Sequence, residues 1–515
     1  MAGEIFAAID VGSYELSMKI FEISSKKGVR ELDYIRHRID LGTETYATGR
    51  ISTEHVHEMT RVLLDYDNIM ETYGVTHYQA YGTSAMRETH NIRVVLEQLE
   101  QRTGVHIDVL SNSEQRFLDY KSIALRSGEF SEIIVKPTAI VDIGGGSIQI
   151  SLFDNDKLVT TQNMKLGVLR LHQTLDMLGS GTRKYREMIT ELVESQLSVF
   201  EKLYLKDRKF KNLIIIDDYL SPVIQKVIFG DCPKGYVDAC GFENFISNTG
   251  EKSKQALAKE LNIPDENIPL LYISGLLVRN IAKAMGTELL WAPGMTLCDG
   301  IAYEYAERKK MIRTSHVFEQ DIIACAQNIS KRYMGSKMRA ETLQAIALPI
   351  FDHMKKIHGL GKRERLLLQI ATILHDCGKY ISLVNLGECS YNIIMSTEII
   401  GLSHKEREIV ANVVLFNHEP FVYYNDHSER YSKIDQNAYL IIAKLTAILR
   451  IANGLDRTHR QKFKDVHVML KENELIINVD TMNDITVEQG LFKNRACFFE
   501  EIFGVRPVIR QKRTI

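Results

Sequence analysis

The chain has 515 residues, of which 45% are hydrophobic and 25% are charged. This composition is that of ordinary soluble globular proteins and excludes wholesale disorder, while the length predicts about three or four domains. The 64 Lys and Arg and 66 Asp and Glu residues leave a net charge of −2, which indicates neither nucleic acid nor an anionic membrane as a partner. No uncharged apolar stretch approaches the roughly 18 residues of a membrane span, so we expect a cytoplasmic protein.

A strand that ends in aspartate and a glycine turn occurs twice in the chain. The first copy spans residues 6–13, with Asp10 before the turn, and the second spans residues 138–147, with Asp142 in the same place. Each copy is followed by two segments of alternating apolar and polar residues separated by turn-forming residues, which predicts two further antiparallel strands. The repeat therefore predicts a duplicated α/β architecture with a cleft between its halves.

The remaining elements divide the chain into regions of different character. Apolar residues at spacings of three and four predict a helix over residues 51–73. The apolar positions that show this spacing are Val56, Met59, Leu63, Tyr66, Met70 and Tyr73. Residues 317–455 have a helical pattern throughout, and residues 466–479 predict a β-hairpin in a small α+β tail. Four units are predicted: residues 1–130, 131–310, 311–462 and 463–515.

The two repeated turns have the composition of a site for phosphate and metal. A carboxylate such as Asp10 or Asp142 can hold Mg²⁺ directly or through water, and the glycines let backbone N–H groups approach phosphate oxygens closely. The segment Gly82–Arg87 adds two hydroxyl groups and a guanidinium, which can donate two hydrogen bonds to one phosphate. Taken alone, this segment also fits a helix cap followed by a surface arginine.

Five motifs follow one another along the chain. They are Asp10–Ser13, Gly82–Arg87, Ser111–Glu114, Asp142–Ser147 and Gly167–Arg170. In this order they resemble the exopolyphosphatase/guanosine pentaphosphate phosphatase (Ppx/GppA) family over essentially the whole chain. The resemblance implies a duplicated actin-like (ASKHA, ribonuclease H-like) α/β core, followed by an all-α HD-like domain and a small α+β C-terminal domain. It also implies Mg²⁺-dependent hydrolysis of a terminal phosphoanhydride bond, with polyphosphate or guanosine penta- or tetraphosphate as partner, and a homodimer.

The resemblance also implies roles for particular residues of the cleft. Asp10 and Asp142 would hold Mg²⁺. The catalytic residues would be Glu114, Gln115 and Asp142. The phosphate-binding residues would be Asp10, Gly12, Ser13, Thr83, Ser84, Arg87, Gly144, Gly145, Gly146, Ser147 and Arg170. Ser111–Glu114 fits a helix-capping box as well, which is the alternative role for Glu114.

The chain departs from the family pattern at the position of the catalytic base. The family has glutamate where this chain has Gln115, and an amide cannot take a proton from water near neutral pH, a loss that typically costs about 10²- to 10⁴-fold in rate. Gln149 replaces a second family glutamate, and residues 217–221 replace a glycine-rich loop. Phosphoryl transfer nevertheless passes through a loose transition state, and a glutamine can orient water. Three functions therefore stay open: a hydrolase that uses this cleft, a catalytically weakened regulatory protein that binds a phosphate polyanion or alarmone, and a hydrolase whose chemistry lies in the helical half.

The helical half contains a second group of polar residues with possible metal chemistry. His375 and Asp376 end one apolar helix and Asp456 ends another, an arrangement that resembles HD-type phosphohydrolases. Such side chains on separate helices can share one divalent ion. His353 is a candidate for the remaining ligand, whereas the family register favours Arg339 at that position. Cys389 stands where relatives often have histidine, and His418 is the other residue left for the site. The alternative is a metal-free relic, in which the His–Asp pair makes hydrogen bonds at a helix end.

Overall fold

The structure is a computed structural model that describes residues 3–178, 185–312, 316–424, 434–456 and 465–512, together with 458, 460, 462 and 463. The chain forms two compact units, Met1–Phe318 and Glu319–Ile515. The first unit contains both copies of the strand and glycine turn. The second contains the helical region and the C-terminal hairpin.

The strands of the first unit form two sheets. Those of the first sheet are β1 (Glu4–Val11), β2 (Glu15–Ser24), β3 (Gly28–Arg38), β4 (His77–Gly82) and β5 (Asp108–Val109). Those of the second sheet are β6 (Thr138–Ile143), β7 (Ile148–Asp154), β8 (Lys157–Met164), β9 (Asn212–Asp217), β10 (Tyr236–Asp238) and β11 (Leu289–Trp291).

The two sheets repeat one topology, which confirms the predicted duplication. The first has the order β3-β2-β1-β4-β5, and the second has the order β8-β7-β6-β9-β11-β10. In each, the strand that carries the aspartate pairs antiparallel with the next strand and parallel with a later one. Asp10 and Asp142 consequently lie at equivalent ends of β1 and β6, where the chain leaves the sheet.

Helices follow the strands in both halves of the first unit. They are α1 (Leu41–Thr48), α2 (Thr53–Tyr73), α3 (Ser84–Arg87), α4 (Ile92–Thr103), α5 (Asn112–Ile123), α6 (Ser127–Ile133), α7 (Val168–Met177), α8 (Tyr185–Phe200), α9 (Ser221–Lys226), α10 (Ala239–Glu251), α11 (Lys254–Leu261), α12 (Ile268–Met285) and α13 (Leu297–Arg308). The strands β6 and β9 are buried along their whole length, as expected for parallel strands near the middle of a covered sheet.

The amphipathic helix predicted between the two copies is α2. The Ser52 hydroxyl accepts a hydrogen bond from the His55 backbone N–H at its start, and Gly74 ends it in the left-handed conformation that glycine adopts without strain. The predicted apolar stripe is buried except at Tyr73, which is 39% exposed. Its hydroxyl donates to the Asp33 carboxylate at 2.8 Å, so the ring packs at the edge of the stripe while its polar end reaches the surface.

The second unit consists of packed helices and a small sheet. Its helices are α14 (Phe318–Arg332), α15 (Lys337–His353), α16 (Lys355–His358), α17 (Lys362–Leu374), α18 (Leu386–Ser396), α19 (His404–His418), α20 (Gln436–Leu455) and α21 (Thr486–Phe503). Its strands are β12 (Asp465–Lys471), β13 (Glu474–Asp480) and β14 (Arg506–Lys512). The antiparallel pair β12–β13 confirms the predicted hairpin, and the sequence analysis missed β14, which pairs parallel with β13.

Two helical segments of the described chain are long and apolar enough to cross a membrane. They are Asp265–Met285 and Gln436–Leu455. In the most apolar part of each segment, 72% of the residues of the first and 78% of those of the second are buried inside the protein. This is the pattern of core helices that pack against other helices.

Candidate functional site

The structure brings the two glycine turns together at the edge of a cleft. A Cβ atom on Gly145 would lie 3.2 Å from the Cβ of Ser13, so the second turn packs directly against the first. A cavity of about 50 Å³ lies beside this contact, and its wall includes Asp10 and Asp218. This volume accepts a few water molecules or a partly hydrated cation.

Three carboxylates line this cavity: Asp10 and Glu15 from the first turn and its flanking strands, and Asp218 from the loop after β9. Burial and the nearby Asp218 and Glu15 raise the pKa of Asp10 well above its usual range. Desolvation by the surrounding protein and the charge of Asp142 raise the pKa of Asp218 to about 6, and desolvation and Asp218 raise that of Glu15 to about 7. Carboxylates that repel one another in a cleft are stabilised by a cation among them.

Asp10 has the chemistry of a cation ligand. Its Oδ1 atom is buried and has no hydrogen-bond partner in the described part of the chain, a costly arrangement that a bound cation would relieve. Among the described residues, no group of three His, Cys, Asp or Glu side chains has the arrangement of a complete metal site. Mg²⁺ fits this donor set because it is usually held by one or two carboxylates and takes its other ligands from water and substrate phosphate.

The aspartate of the second turn has different partners. Arg116 of α5 is buried, pairs with the Asp142 carboxylate and donates to the Ser147 carbonyl oxygen at 3.1 Å. Asp119, one helical turn further along α5, also contacts Asp142, and burial together with the charge of Asp142 raises the pKa of Asp119 well above its usual range. The carboxyl groups of Asp119 and Asp142 are joined by a hydrogen bond. Asp142 thus anchors the turn to α5.

We expect the replacement Arg116→Met to destabilise the first unit by about 3–5 kcal/mol, because it leaves Asp142 buried without its positive partner. Urea titration monitored by circular dichroism measures this loss. Arg102→Met, at the exposed end of α4, is the matched control and should change the free energy of unfolding by less than about 0.5 kcal/mol. A similar small change for both variants would contradict the role given to Arg116.

The backbone N–H groups of two predicted phosphate-binding glycines are used within their own turns. Gly12 donates to the Glu15 carbonyl at 3.0 Å, and Gly144 donates to the Ser147 carbonyl at 2.9 Å. A Cβ atom on Gly12 would lie 2.8 Å from the Glu15 oxygen, so this turn requires glycine. Gly12 and Gly144 therefore shape the turns, which leaves direct phosphate contact to other groups.

Tyr46 connects the first turn to the segment Gly82–Arg87. Its hydroxyl lies 2.9 Å from the Ser13 hydroxyl and donates to the Ser84 hydroxyl at 3.0 Å. A Cβ atom on Gly146 would lie 2.6 Å from the Ser84 hydroxyl oxygen, so the third glycine of the second turn reaches the same point. Three predicted residues therefore meet at Tyr46, which the sequence analysis missed because a single tyrosine in a helix has no distinguishing pattern.

Two further predicted phosphate ligands have structural contacts instead. The Thr83 hydroxyl is buried and donates to the Val11 carbonyl at 3.4 Å. Arg170 donates to the Gly146 carbonyl at 3.1 Å and to the Glu88 carboxylate at 2.8 Å. Both side chains thus fix the glycine turns in position, since their polar atoms bind the backbone of those turns.

Gln115 lies in contact with Arg87. Two guanidinium nitrogens of Arg87 lie 3.4 Å from the Gln115 side-chain oxygen, and one of them donates to the Leu110 carbonyl at 2.7 Å. Glu114 caps its own helix, because its carboxylate accepts from the Ser111 backbone N–H at 2.9 Å and the Ser111 hydroxyl accepts from the Glu114 backbone N–H. The capping-box alternative for Glu114 is therefore confirmed, and its predicted catalytic role has no support in this geometry.

The segment that replaces the expected glycine-rich loop forms one wall of the cleft. Asp217 accepts hydrogen bonds from the Tyr219 and Leu220 backbone N–H groups and from the Ser274 hydroxyl, so it holds the loop. Tyr219 packs edge to face on Tyr14 at 5.7 Å between ring centroids, and both line the cavity. Two aromatic rings thus narrow the cleft.

The second unit brings together three of the four predicted HD-like residues. His375, Asp376 and Asp456 are buried at helix ends, and Arg339 lies among them, 3.9 Å from the Asp456 carboxylate. A guanidinium beside these groups repels a cation, so they do not fit a metal ion. His353 lies at the other end of α15, about 21 Å from Arg339 by helical rise, and is exposed, so its assignment as a ligand is wrong.

His375 should make the stability of the second unit depend on pH. Burial lowers its pKa from 6.5 to about 3, so the folded unit binds this proton less readily than the unfolded chain. The contribution of His375 to the free energy of unfolding is therefore fully present above pH 6.5 and is lost as the pH decreases towards 3. Between pH 7.5 and 5 this loss amounts to about 2 kcal/mol. Thermal unfolding at these two pH values should show a smaller change for His375→Asn than for wild type. His353→Asn is the exposed control, and an identical pH dependence for all three proteins would contradict this account.

Two repeated sheets that end in facing glycine turns define an actin-like α/β protein, and solved structures support this class. An exopolyphosphatase from Cytophaga hutchinsonii has 15% identity and a TM-score of 0.50, over 60% of this chain and 99% of that one. An exopolyphosphatase-like protein has 16% identity and a TM-score of 0.51, over 60% of this chain and 100% of that one.

Family models identify the lineage of the chain. The model of the Ppx/GppA phosphatase family matches residues 20–304, and that of Ppx/GppA phosphatase domain III matches residues 323–495. The chain belongs to the Ppx/GppA phosphatase family, as its motifs predicted. A guanosine-5'-triphosphate,3'-diphosphate pyrophosphatase of Vibrio vulnificus is 21% identical over 79% of this chain and 80% of its own length. Exopolyphosphatase 1 of Mycobacterium leprae is 22% identical over 37% of this chain and 55% of its own length.

Proposed function

We propose that the protein is a Mg²⁺-dependent hydrolase that releases terminal phosphate from inorganic polyphosphate or guanosine pentaphosphate. Relatives named as exopolyphosphatase and as guanosine-5'-triphosphate,3'-diphosphate pyrophosphatase support the substrate class. The observation that carries the proposal is the buried Asp10 oxygen without a hydrogen-bond partner among the described residues, in a carboxylate cluster beside the two glycine turns. A divalent cation would balance the negative charges of this cluster and of a bound phosphate.

The carboxylates of the cleft divide into two roles. Asp10 and Asp218 would hold Mg²⁺, because both face the cavity, whereas Asp142 is engaged by Arg116. The ion would neutralise charge on the phosphate that is transferred. Ser13 and Ser84, which meet at Tyr46, would donate hydroxyl groups to the terminal phosphate.

Two residues would act on the attacking water. Gln115, whose oxygen is held by Arg87, would orient the water, as glutamine does in GTPases. Glu15 lines the cavity, and its pKa of about 7 suits a general base at neutral pH. Glu15 would thereby take over the proton transfer that the family assigns to glutamate at position 115.

Phosphate release from the purified full-length chain tests this function. We expect release from long-chain polyphosphate or from guanosine pentaphosphate in Mg²⁺, and a loss of release when EDTA removes the ion. Equal release with and without EDTA would contradict the role of the cleft carboxylates. Parallel assays with the two substrates determine which one the protein prefers.

The alternative function is a regulatory protein that binds the same polyanions with little or no turnover. The replacement of the family base by Gln115 and the aromatic wall of Tyr14 and Tyr219 favour it, since they weaken turnover more than phosphate binding. It predicts a silent wild type that still binds tripolyphosphate, and a Gln115→Glu variant that gains phosphate release. The homodimer and the cytoplasmic location stay predictions.

A further inference from the structure

The second unit contains a polar cavity apart from the carboxylate cleft. It has a volume of about 380 Å³ and lies where the ends of α19 and α20 meet α21. Arg450 and Arg495 line it, together with the amide side chains of Asn453 and Asn494. Pockets that bind small organic ligands have volumes of about 300–1,000 Å³, so this cavity accommodates more than a single inorganic ion.

Two arginines give the cavity a positive charge. Arg450 donates to the carbonyl oxygens of Phe416 and Glu419, both at 2.7 Å, and its guanidinium lies 4.5 Å from the centre of the Phe498 ring. These hydrogen bonds hold the guanidinium without neutralising it, because the acceptors are uncharged. Arg495 lines the same cavity, and burial together with this second positive group lowers the pKa of Arg450 to about 10. The Arg495 guanidinium also donates to the Asn417 carbonyl oxygen at 3.3 Å, which is an uncharged acceptor.

The neighbouring polar residues favour an anion over a metal ion. Asn453 accepts a hydrogen bond from Arg339 at 2.6 Å and so joins the cavity to the His375 cluster, in which that guanidinium opposes a cation. His418, in the cavity wall, makes a hydrogen bond to the His375 carbonyl oxygen, and burial lowers its pKa to about 4. The single N–H of this neutral imidazole donates to that carbonyl, so the donors left for an anion are the two amides, which add no negative charge.

We propose that this cavity binds a small organic phosphate, with the phosphate between Arg450 and Arg495 and the organic part towards Leu491 and Asn494. Guanidinium groups bind phosphate through paired, charge-assisted hydrogen bonds. Leu491 provides an apolar surface at the open side of the cavity, and Asn494 provides an exposed amide beside it. The site lies within the second unit and does not depend on the function proposed for the cleft.

Calorimetric titration of the full-length chain with adenosine 5'-monophosphate, ribose 5-phosphate and inorganic phosphate tests the site. EDTA is present throughout, so that Mg²⁺-dependent binding in the carboxylate cleft does not contribute. We expect one molecule of adenosine monophosphate or ribose 5-phosphate to bind per chain, more tightly than inorganic phosphate. The absence of binding by both organic phosphates at millimolar concentration would overturn the proposal, and so would equal affinity for inorganic phosphate.

Two variants locate the binding. Arg495→Gln removes one guanidinium from the cavity. Asn494→Asp adds a negative charge, which repels phosphate, at an exposed position that tolerates the change. Each variant should bind the organic phosphate at least about tenfold more weakly than wild type. Lys493→Gln removes a positive charge from the same helix outside the cavity and should leave the affinity unchanged. Unchanged affinity in Asn494→Asp, or an equal loss in Lys493→Gln, would overturn the assignment.

Discussion

Replacing Asp10 with asparagine is expected to lower phosphate release by about 10²- to 10³-fold, the cost of removing one preorganised electrostatic group from a site of phosphoryl transfer. The amide keeps the size of the side chain but removes the negative charge through which Asp10 would hold Mg²⁺. The same loss is expected for Asp218→Asn, because this carboxylate faces the same cavity. Steady-state release of phosphate at saturating Mg²⁺ measures both effects.

The control for these variants is Asp108→Asn. Asp108 lies on β5 of the same sheet and its side chain is 69% exposed, so its replacement should leave the rate within about twofold of wild type. Thermal unfolding should show that Asp10→Asn remains folded, since neutralising a buried carboxylate whose pKa is raised removes repulsion. Activity of Asp10→Asn equal to that of the control would contradict the proposed metal site.

The second large effect is expected for Glu15→Gln. If Glu15 accepts the proton of the attacking water, its removal should lower kcat by about 10²- to 10⁴-fold with little change in KM. The rate of the wild type should rise with pH as Glu15 loses its proton, and this rise should be absent in the variant. The variant Gln115→Ala should lower kcat by less, about tenfold, because it removes the group that orients the water and leaves the base in place.

Glu54→Gln is the matched control for the base. Glu54 lies exposed in the first turn of α2 and should tolerate the change without loss of kcat. If Glu15→Gln keeps the wild-type kcat while Gln115→Ala loses most of it, Glu15 is not the general base. Gln115 would then be the residue on which activation of the water depends.

The duplicated sheets and the two aspartate turns could be predicted because their signals are local. Asp10 and Asp142 each follow a short apolar strand and precede glycine, and such a pattern specifies a strand and a tight turn within about ten residues. The capping box at Ser111 was equally local, since both of its partners lie within one helical turn.

The carboxylate cluster could not be predicted because its members are distant in sequence. Asp218 affects the pKa of Asp10 across more than two hundred residues, and Arg116 reaches Asp142 from a helix that carries no glycine motif. The error at His353 has a similar origin: a helical pattern shows which residues share a face, but not which turn of the helix lies opposite a given partner. Arg339 and His353 belong to one helix, and only tertiary packing decides which of its ends meets Asp456.

Binding of Mn²⁺, as a paramagnetic substitute for Mg²⁺, most directly tests the claim that the cleft holds a divalent ion together with phosphate. Electron paramagnetic resonance should detect one bound Mn²⁺ per wild-type chain in the presence of tripolyphosphate, and the Asp10→Asn variant should lose this binding while it stays folded. Equal Mn²⁺ binding by the two proteins would contradict the account.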